Sequence, residues 1–244
     1  MGALVKSYYA QKINVNPKDI YVVSVMPCTA KKYERLRPEM HTGGLRDIDA
    51  VLTTRELGAM LKEAGIDLAA LPISGFDEPF GAGSGAGAIF GNTGGVMEAA
   101  LRTVYEVVTG KPAARLEFDD IRGLAGVKET SIALDGITLN AAVIHGLGNV
   151  RGILDDIAAG TSPYHFIEIM CCPGGCIGGG GQPISRDAGV NEKRIQGLYR
   201  EDESLPLRKS HDNPAVWELY SNYLGEPNSE KSHRLLHTHY HSRR

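Results

Sequence analysis

The sequence lacks a dominant charge, a long apolar run and a leader-like start. Its 26 basic and 29 acidic residues leave a net charge of −3, so bulk electrostatics favour neither nucleic acid nor an anionic membrane as a partner. No apolar stretch approaches the roughly 18 residues of a membrane span. The start, MGALVKSYYAQK, has too short an apolar stretch and no cleavage site for a signal peptide. The expected compartment is therefore the cytoplasm. Cysteine is scarce as well, at 4 in 244 residues. Hydrophobic residues at 42% and charged residues at 23% are ordinary for a globular protein. Most of the chain is thus expected to be ordered, as one large domain or two small ones.

Glycine and the placement of cysteine are unusual. Glycine makes up 30 residues, well above the typical share of about 7%. Three of the four cysteines, Cys171, Cys172 and Cys176, fall within six residues.

The chain alternates strand and helix signals. Ile20–Val25 is a β-branched apolar run of the kind that forms buried parallel strands, and it ends at Met26-Pro27-Cys28. Asp49–Leu52 reads as a short strand, followed by a capping box at Thr53 and Glu56 and a helix that Gly65 ends. Gly81–Gly95 reads as a glycine-rich loop. Val96–Thr109 reads as a helix with Val96, Ala100, Leu101, Val104 and Val107/Val108 on its apolar stripe. A hairpin region at 132–139, strands at 141–144 and 165–170, and a helix at 150–158 complete this part. The expected fold class is α/β, with mostly parallel sheet segments and flanking helices. Beyond residue 190 the strand signals stop. Residues 191–244 are expected to form a helical tail, with one helix opened by Asn213-Pro214 and another near 229–237.

Cys172-Pro173-Gly174-Gly175-Cys176, followed by Gly178–Gly181, Gln182 and Pro183, lies directly after a strand. The loop is nearly stripped of side chains, so its backbone can wrap tightly and adopt positive φ, and its amides can bond anionic ligands. Thiolates with amide donors suit an iron–sulfur cluster. Zinc held by three cysteines and a histidine is an alternative, and so are plain buried thiols. Cys28, at the end of a strand with Lys31 one turn later, sits where open α/β sheets place ligands. His233, His237, His239 and His241 allow either a metal site or surface packing. The strand–turn–helix Val143–Gly152 matches a dinucleotide fingerprint only weakly, because Arg151 stands where the last glycine belongs.

The loop M-x-C-P-G-G-C-x-x-G-G-G-Q-P at Met170–Pro183 and the segment M-P-C-T-A-K-K-Y-E at Met26–Glu34 resemble two of the three signature motifs of the iron-only (FeFe) hydrogenases. Gly85–Arg102, His145–Asn149 and the segments at 208–211 and 232–240 are similar to that family too. The resemblance implies an H-cluster, in which a 4Fe–4S cubane is joined through one cysteine to a two-iron unit carrying CO and cyanide. It implies that residues 1–190 are a catalytic-domain fragment and 191–244 a small-subunit-like tail wrapping it. By motif, Cys28 and Cys172 resemble cubane ligands, and Cys176 resembles the bridging ligand. Lys31 resembles the lysine that hydrogen-bonds a cyanide, and Glu34 a carboxylate of the proton path. Met26, Pro27, Phe90, Met170, Gly175 and Gln182 resemble residues lining the group. Cys171 is expected to be a small packing residue, because adjacent residues of an extended segment point opposite ways.

The family's first motif, Thr-Ser-Cys-Cys-Pro, is not present in the chain. The resemblance implies that an upstream segment or a separate subunit supplies it, that ferredoxin or another carrier delivers electrons, and that the chain by itself is not active. A second reading is an iron–sulfur carrier or assembly protein of the hydrogenase-like type, without a two-iron unit.

Overall fold

The computed structural model describes residues 1–77 and 79–241. In chain order the helices and strands are α1 (Gly2–Leu4), α2 (Ala10–Lys12), β1 (Val23–Met26), α3 (Lys31–Glu34), β2 (His41–Thr42), β3 (Leu45–Arg46), β4 (Ala50–Thr53), α4 (Thr54–Glu63), α5 (Gly85–Ala88), α6 (Gly95–Thr109), β5 (Val127–Leu134), β6 (Ile137–His145), α7 (Arg151–Ala159), β7 (Phe166–Met170), α8 (Val190–Ser204), α9 (Pro214–Leu219) and α10 (Glu230–Leu236). This is an α/β fold. It divides into two compact units that are not consecutive in sequence. The first comprises residues 1–82, 180–183 and 214–244, and the second 83–179 and 184–213. No helix among the described residues is long and apolar enough to cross a membrane.

In the first unit β1 and β4 pair in parallel, with Val23 opposite Ala50 and Met26 opposite Thr53. The capping box forms as the sequence predicts: the Glu56 amide donates to Thr53 Oγ1 at 3.2 Å, and the Thr53 amide donates to Glu56 Oε2 at 2.8 Å. The Lys6 ammonium pairs with Asp49 at 2.9 Å, tying the N-terminal helix to the segment entering β4.

β1 differs from expectation. It is not a buried strand: Tyr21, Val23 and Val25 are 71%, 46% and 45% exposed. The burial alternates along the strand: Val23 and Val25 lie on a face that no described residue buries, while Ser24 and Met26 on the other face are half-buried. Helix α4 likewise buries none of its residues, although Leu57, Met60 and Leu61 lie on one face.

The second unit holds a three-stranded sheet in the order β5-β6-β7, antiparallel then parallel. Period-2 alternation along β6 supplies both faces. Ala141 and Val143 pack with Met97 and Leu101 of α6, while Ala142 and Ile144 pack with Val150 and Ile153 beside α7. Helices therefore cover the sheet on both sides, as a strand buried on both faces requires.

Two local expectations fail here. The glycine-rich segment before α6 is not all loop, because the Ser84 hydroxyl caps α5 and a 3-10 turn spans Ile89–Gly91. The buried face of α6 is also not the all-apolar stripe the sequence suggests. It carries Met97, Glu98, Ala99, Leu101 and Arg102, while Val107 and Val108 face solvent. Glu98 and Arg102 are fully buried because Arg102 meets Glu98 at 2.7 Å and Asp202 of α8 at 2.8 Å.

Candidate metal centre

Two strand ends present cysteines, one in each unit. In the first unit β1 delivers Met26, Pro27 and Cys28. The Pro27 carbonyl accepts the Gly181 amide at 2.9 Å, and Arg55 donates to the Gly180 carbonyl at 2.8 Å. These bonds set the segment carrying Gln182 beside the β1 end. Gly181 has no room for a side chain, since a Cβ there would stand 2.8 Å from Thr53 and 3.0 Å from the Pro27 oxygen. Lys31 and Glu34 are brought together on the single turn of α3. The Lys31 ammonium lies 2.6 Å from Glu34 Oε2, both half-exposed. An ammonium has three donors, so this pairing leaves others available.

In the second unit β7 ends at Met170 and the chain turns at once through Cys172–Cys176. Cys172 and Cys176 are half-buried while Cys171 is exposed, and all four cysteines are thiols rather than disulfides. Gly174 and Gly175 hold φ of 78° and 89°, a region that glycine reaches without strain. The turn is also pressed against its own unit. A Cβ on Gly175 would lie 2.7 Å from the Met170 sulfur and 2.7 Å from the Thr93 nitrogen. Part of the glycine richness thus serves packing against the protein itself. Gly175→Ala is expected to cost about 3 kcal/mol, from the positive φ and the backbone clash together. A denaturant midpoint unchanged from wild type would contradict this close approach.

Beneath the turn lies a polar layer most of whose bonds join residues far apart in the chain. Glu168 of β7 accepts the Gly94 and Met97 amides, both at 2.7 Å, capping α6. Lys128 of β5 is buried and donates to Thr93 O at 3.1 Å and Gly123 O at 3.0 Å. The Thr93 amide donates to the Gly174 carbonyl at 3.0 Å. His145, the last residue of β6, receives the Gly174 amide on Nδ1 at 3.0 Å.

Burial pushes the Lys128 amine down to about 8, against the pull of nearby Glu168. Below pH 8 the amine is charged folded or unfolded. Between about 8 and the ordinary lysine value near 10.4 the unfolded chain binds the extra proton, so stability rises with pH. The stability difference between wild type and Lys128→Met is expected to shift toward wild type from pH 8 to pH 10. A difference flat across that window would refute the assignment.

Phe90 is 46% exposed, and its neighbour Ile89 is the residue that enters the core. In the tail, the His233 and His237 rings meet edge-on at 4.5 Å, and His239 lies 6.0 Å from His233. His241 Nε2 lies 3.2 Å from Glu39. Elsewhere Glu106, His211 and Asp212 converge closely enough for a cation. The Lys209 ammonium, 2.8 Å from both carboxylates, already occupies the place between them and offsets one of their two charges.

The thiols at each strand end are of the kind that suits an iron–sulfur group. Three half-buried thiols lie at or just beyond the carboxyl ends of strands, where α/β sheets bind ligands. Two of them flank a tight turn whose conformation the protein imposes, a thiolate-only arrangement suited to iron–sulfur ligation.

Residues 1–180 match the family described as "Iron only hydrogenase large subunit, C-terminal domain", and residues 188–243 match "Iron hydrogenase small subunit". The chain is 52% identical over 243 residues to "NADP-reducing hydrogenase subunit HndD" of Solidesulfovibrio fructosivorans, covering 99% of this chain and 41% of that protein. It is 35% identical to "Cytosolic iron-sulfur assembly component 3" of Mus musculus, covering 99% of this chain and 52% of that one. A solved structure of [FeFe]-hydrogenase HydA1 from Chlamydomonas reinhardtii superposes with a TM-score of 0.82 at 47% identity, covering 98% of this chain and 67% of that one. The chain spans about half the length, or less, of these two curated relatives.

Proposed function

The chain belongs to the iron-only hydrogenase family, and on that premise we propose that it forms part of the H-cluster site of an enzyme interconverting protons and electrons with H₂. The observation that carries the proposal is the Cys172–Cys176 turn at the end of β7, half-buried and shaped by a positive-φ glycine pair. When bound, the H-cluster supplies the redox chemistry, and the protein supplies ligands, orientation and protons. Cys28, Cys172 and Cys176 would hold the cubane, with Cys176 also bridging to the two-iron unit. Met26, Pro27, Phe90, Met170, Gly175 and Gln182 would line the group and keep water from it. Lys31 would donate a hydrogen bond to a cyanide while keeping its contact to Glu34 Oε2, and the Glu34 carboxyl group would pass protons toward the site.

The exposed apolar side chains of Val23 and Val25 in β1, with Tyr21 just before it, support a further polypeptide segment packing there. We assign to that segment, or to a separate subunit, the first cysteine motif, and to ferredoxin or another carrier the delivery of electrons in the cytoplasm.

The test is hydrogen evolution from a low-potential reductant by the chain, alone and with the segment bearing the first motif. The proposal predicts activity only in combination. Stable iron and sulfide binding without hydrogen evolution in either case would favour the assembly-protein reading that the murine relative represents.

A further inference from the structure

We propose that His145 is a positioning residue for the cysteine turn: locked in one neutral tautomer, it fixes the 173–174 peptide and shapes the turn before any iron arrives. The inference rests on the cluster reading above, although the clamp itself lies in the protein alone.

His145 is nearly buried, at the end of β6 opposite Met170 of β7. Its Nε2 lies 3.2 Å from the Leu124 carbonyl. A carbonyl only accepts, so Nε2 carries the proton. Its Nδ1 lies 3.0 Å from the Gly174 nitrogen. An amide N–H only donates, so Nδ1 is bare. The Nδ1 contact excludes the imidazolium, and the Nε2 contact selects the Nε2–H form of the neutral ring. The His145 backbone is fixed as well: its amide donates to Gly126 O at 3.0 Å, and its carbonyl accepts Asn149 Nδ2 at 2.8 Å.

The consequence falls on the most pliable part of the turn. Gly174 and Gly175 both hold positive φ, and glycine peptides flip at little steric cost. His145 orients the 173–174 peptide through the Gly174 amide, and the Thr93 amide orients the 174–175 peptide through the Gly174 carbonyl at 3.0 Å. Two successive peptide planes between the cysteines are thus set from outside the turn. The Thr93 contact is backbone and survives substitution, so His145 is the side chain on which the clamp can be tested.

The experiment compares the full chain with His145→Phe, which keeps a ring without an acceptor, and His145→Asn, whose Oδ1 takes the place of Nδ1. In metal-free protein, nitrogen NMR should show the wild-type ring protonated on Nε2 alone. Gly174 amide exchange should be about tenfold faster in the Phe variant and near wild type in the Asn variant. Anaerobic iron and sulfide uptake should slow several-fold in the Phe variant and recover in the Asn variant. An Nδ1-protonated ring overturns the proposal, even where the Phe variant fails to fold. So does a Phe variant that exchanges and loads like wild type. Wild-type protein that takes up no iron, yet shows the tautomer and the exchange pattern, leaves the clamp standing and removes the cluster reading instead.

Discussion

Replacing Cys176 by serine leaves a folded protein that no longer holds iron. The side chain is half-buried in a turn whose shape comes from Gly174, Gly175 and their partners in the second unit, so exchanging sulfur for oxygen leaves the turn intact. What changes is the ligand: a hydroxyl stays protonated where a thiolate binds iron. Loss of partners that merely orient ligands costs 10–100-fold in affinity, so loss of the ligand itself should lower iron occupancy by at least about tenfold. The same result is expected for Cys28→Ser and Cys172→Ser. Cys171→Ser should keep its iron, because Cys171 is exposed while Cys172 beside it is turned inward. Iron and acid-labile sulfide per chain in the four variants measure this, and a Cys171→Ser protein that lost its iron would contradict the ligand assignment.

The largest expected effect on stability comes from Asp202→Ala. Asp202 is fully buried and meets Arg102 at 2.8 Å and Arg208 at 2.7 Å. Arg102 is itself fully buried, and Glu98, its other carboxylate, is already shared with Arg122 at 2.6 Å. Removing Asp202 strands guanidinium charge that solvent does not reach, and breaking a buried pair in this way costs about 3–5 kcal/mol. For a chain of this size that corresponds to a fall in melting temperature of roughly 10 °C. The pair also explains why residues 184–213 group with the sheet, since Asp202 ties α8 to α6. Replacing both partners, as in Arg102→Met with Asp202→Leu, is expected to restore much of the loss, because an apolar pair of similar volume carries no stranded charge. A single Asp202→Ala variant as stable as wild type would show that solvent reaches Arg102.

Features whose cause is local were legible in the sequence. The Thr53–Glu56 capping box needs only a four-residue window, and it forms as read. The cysteine turn was legible for a similar reason: the spacing of Cys172 and Cys176 and the glycines between them are contiguous. Features whose cause lies far along the chain were not. Glu98 and Arg102 look like solvent-facing charges in a helix window, and only Asp202, one hundred residues later, explains their burial. The segment at His145–Asn149 stood out in the sequence, but the bonds that His145, Lys128 and Glu168 make to the loops at Thr93 and Gly174 depend on distant residues that no local window shows. The β1 run misled in the opposite direction, because apolar composition reports what a strand can bury rather than what covers it.

What the thiols hold decides the function of the chain. The most direct measurement is the infrared spectrum of the protein, supplied with the segment bearing the first cysteine motif, after anaerobic loading with the iron–sulfur cluster and the two-iron unit. If the thiols hold an H-cluster, CO and cyanide stretching bands survive removal of unbound material and disappear in Cys176→Ser. Retained iron and sulfide with no such bands would contradict the H-cluster reading, and would align the chain with the iron–sulfur assembly relatives instead.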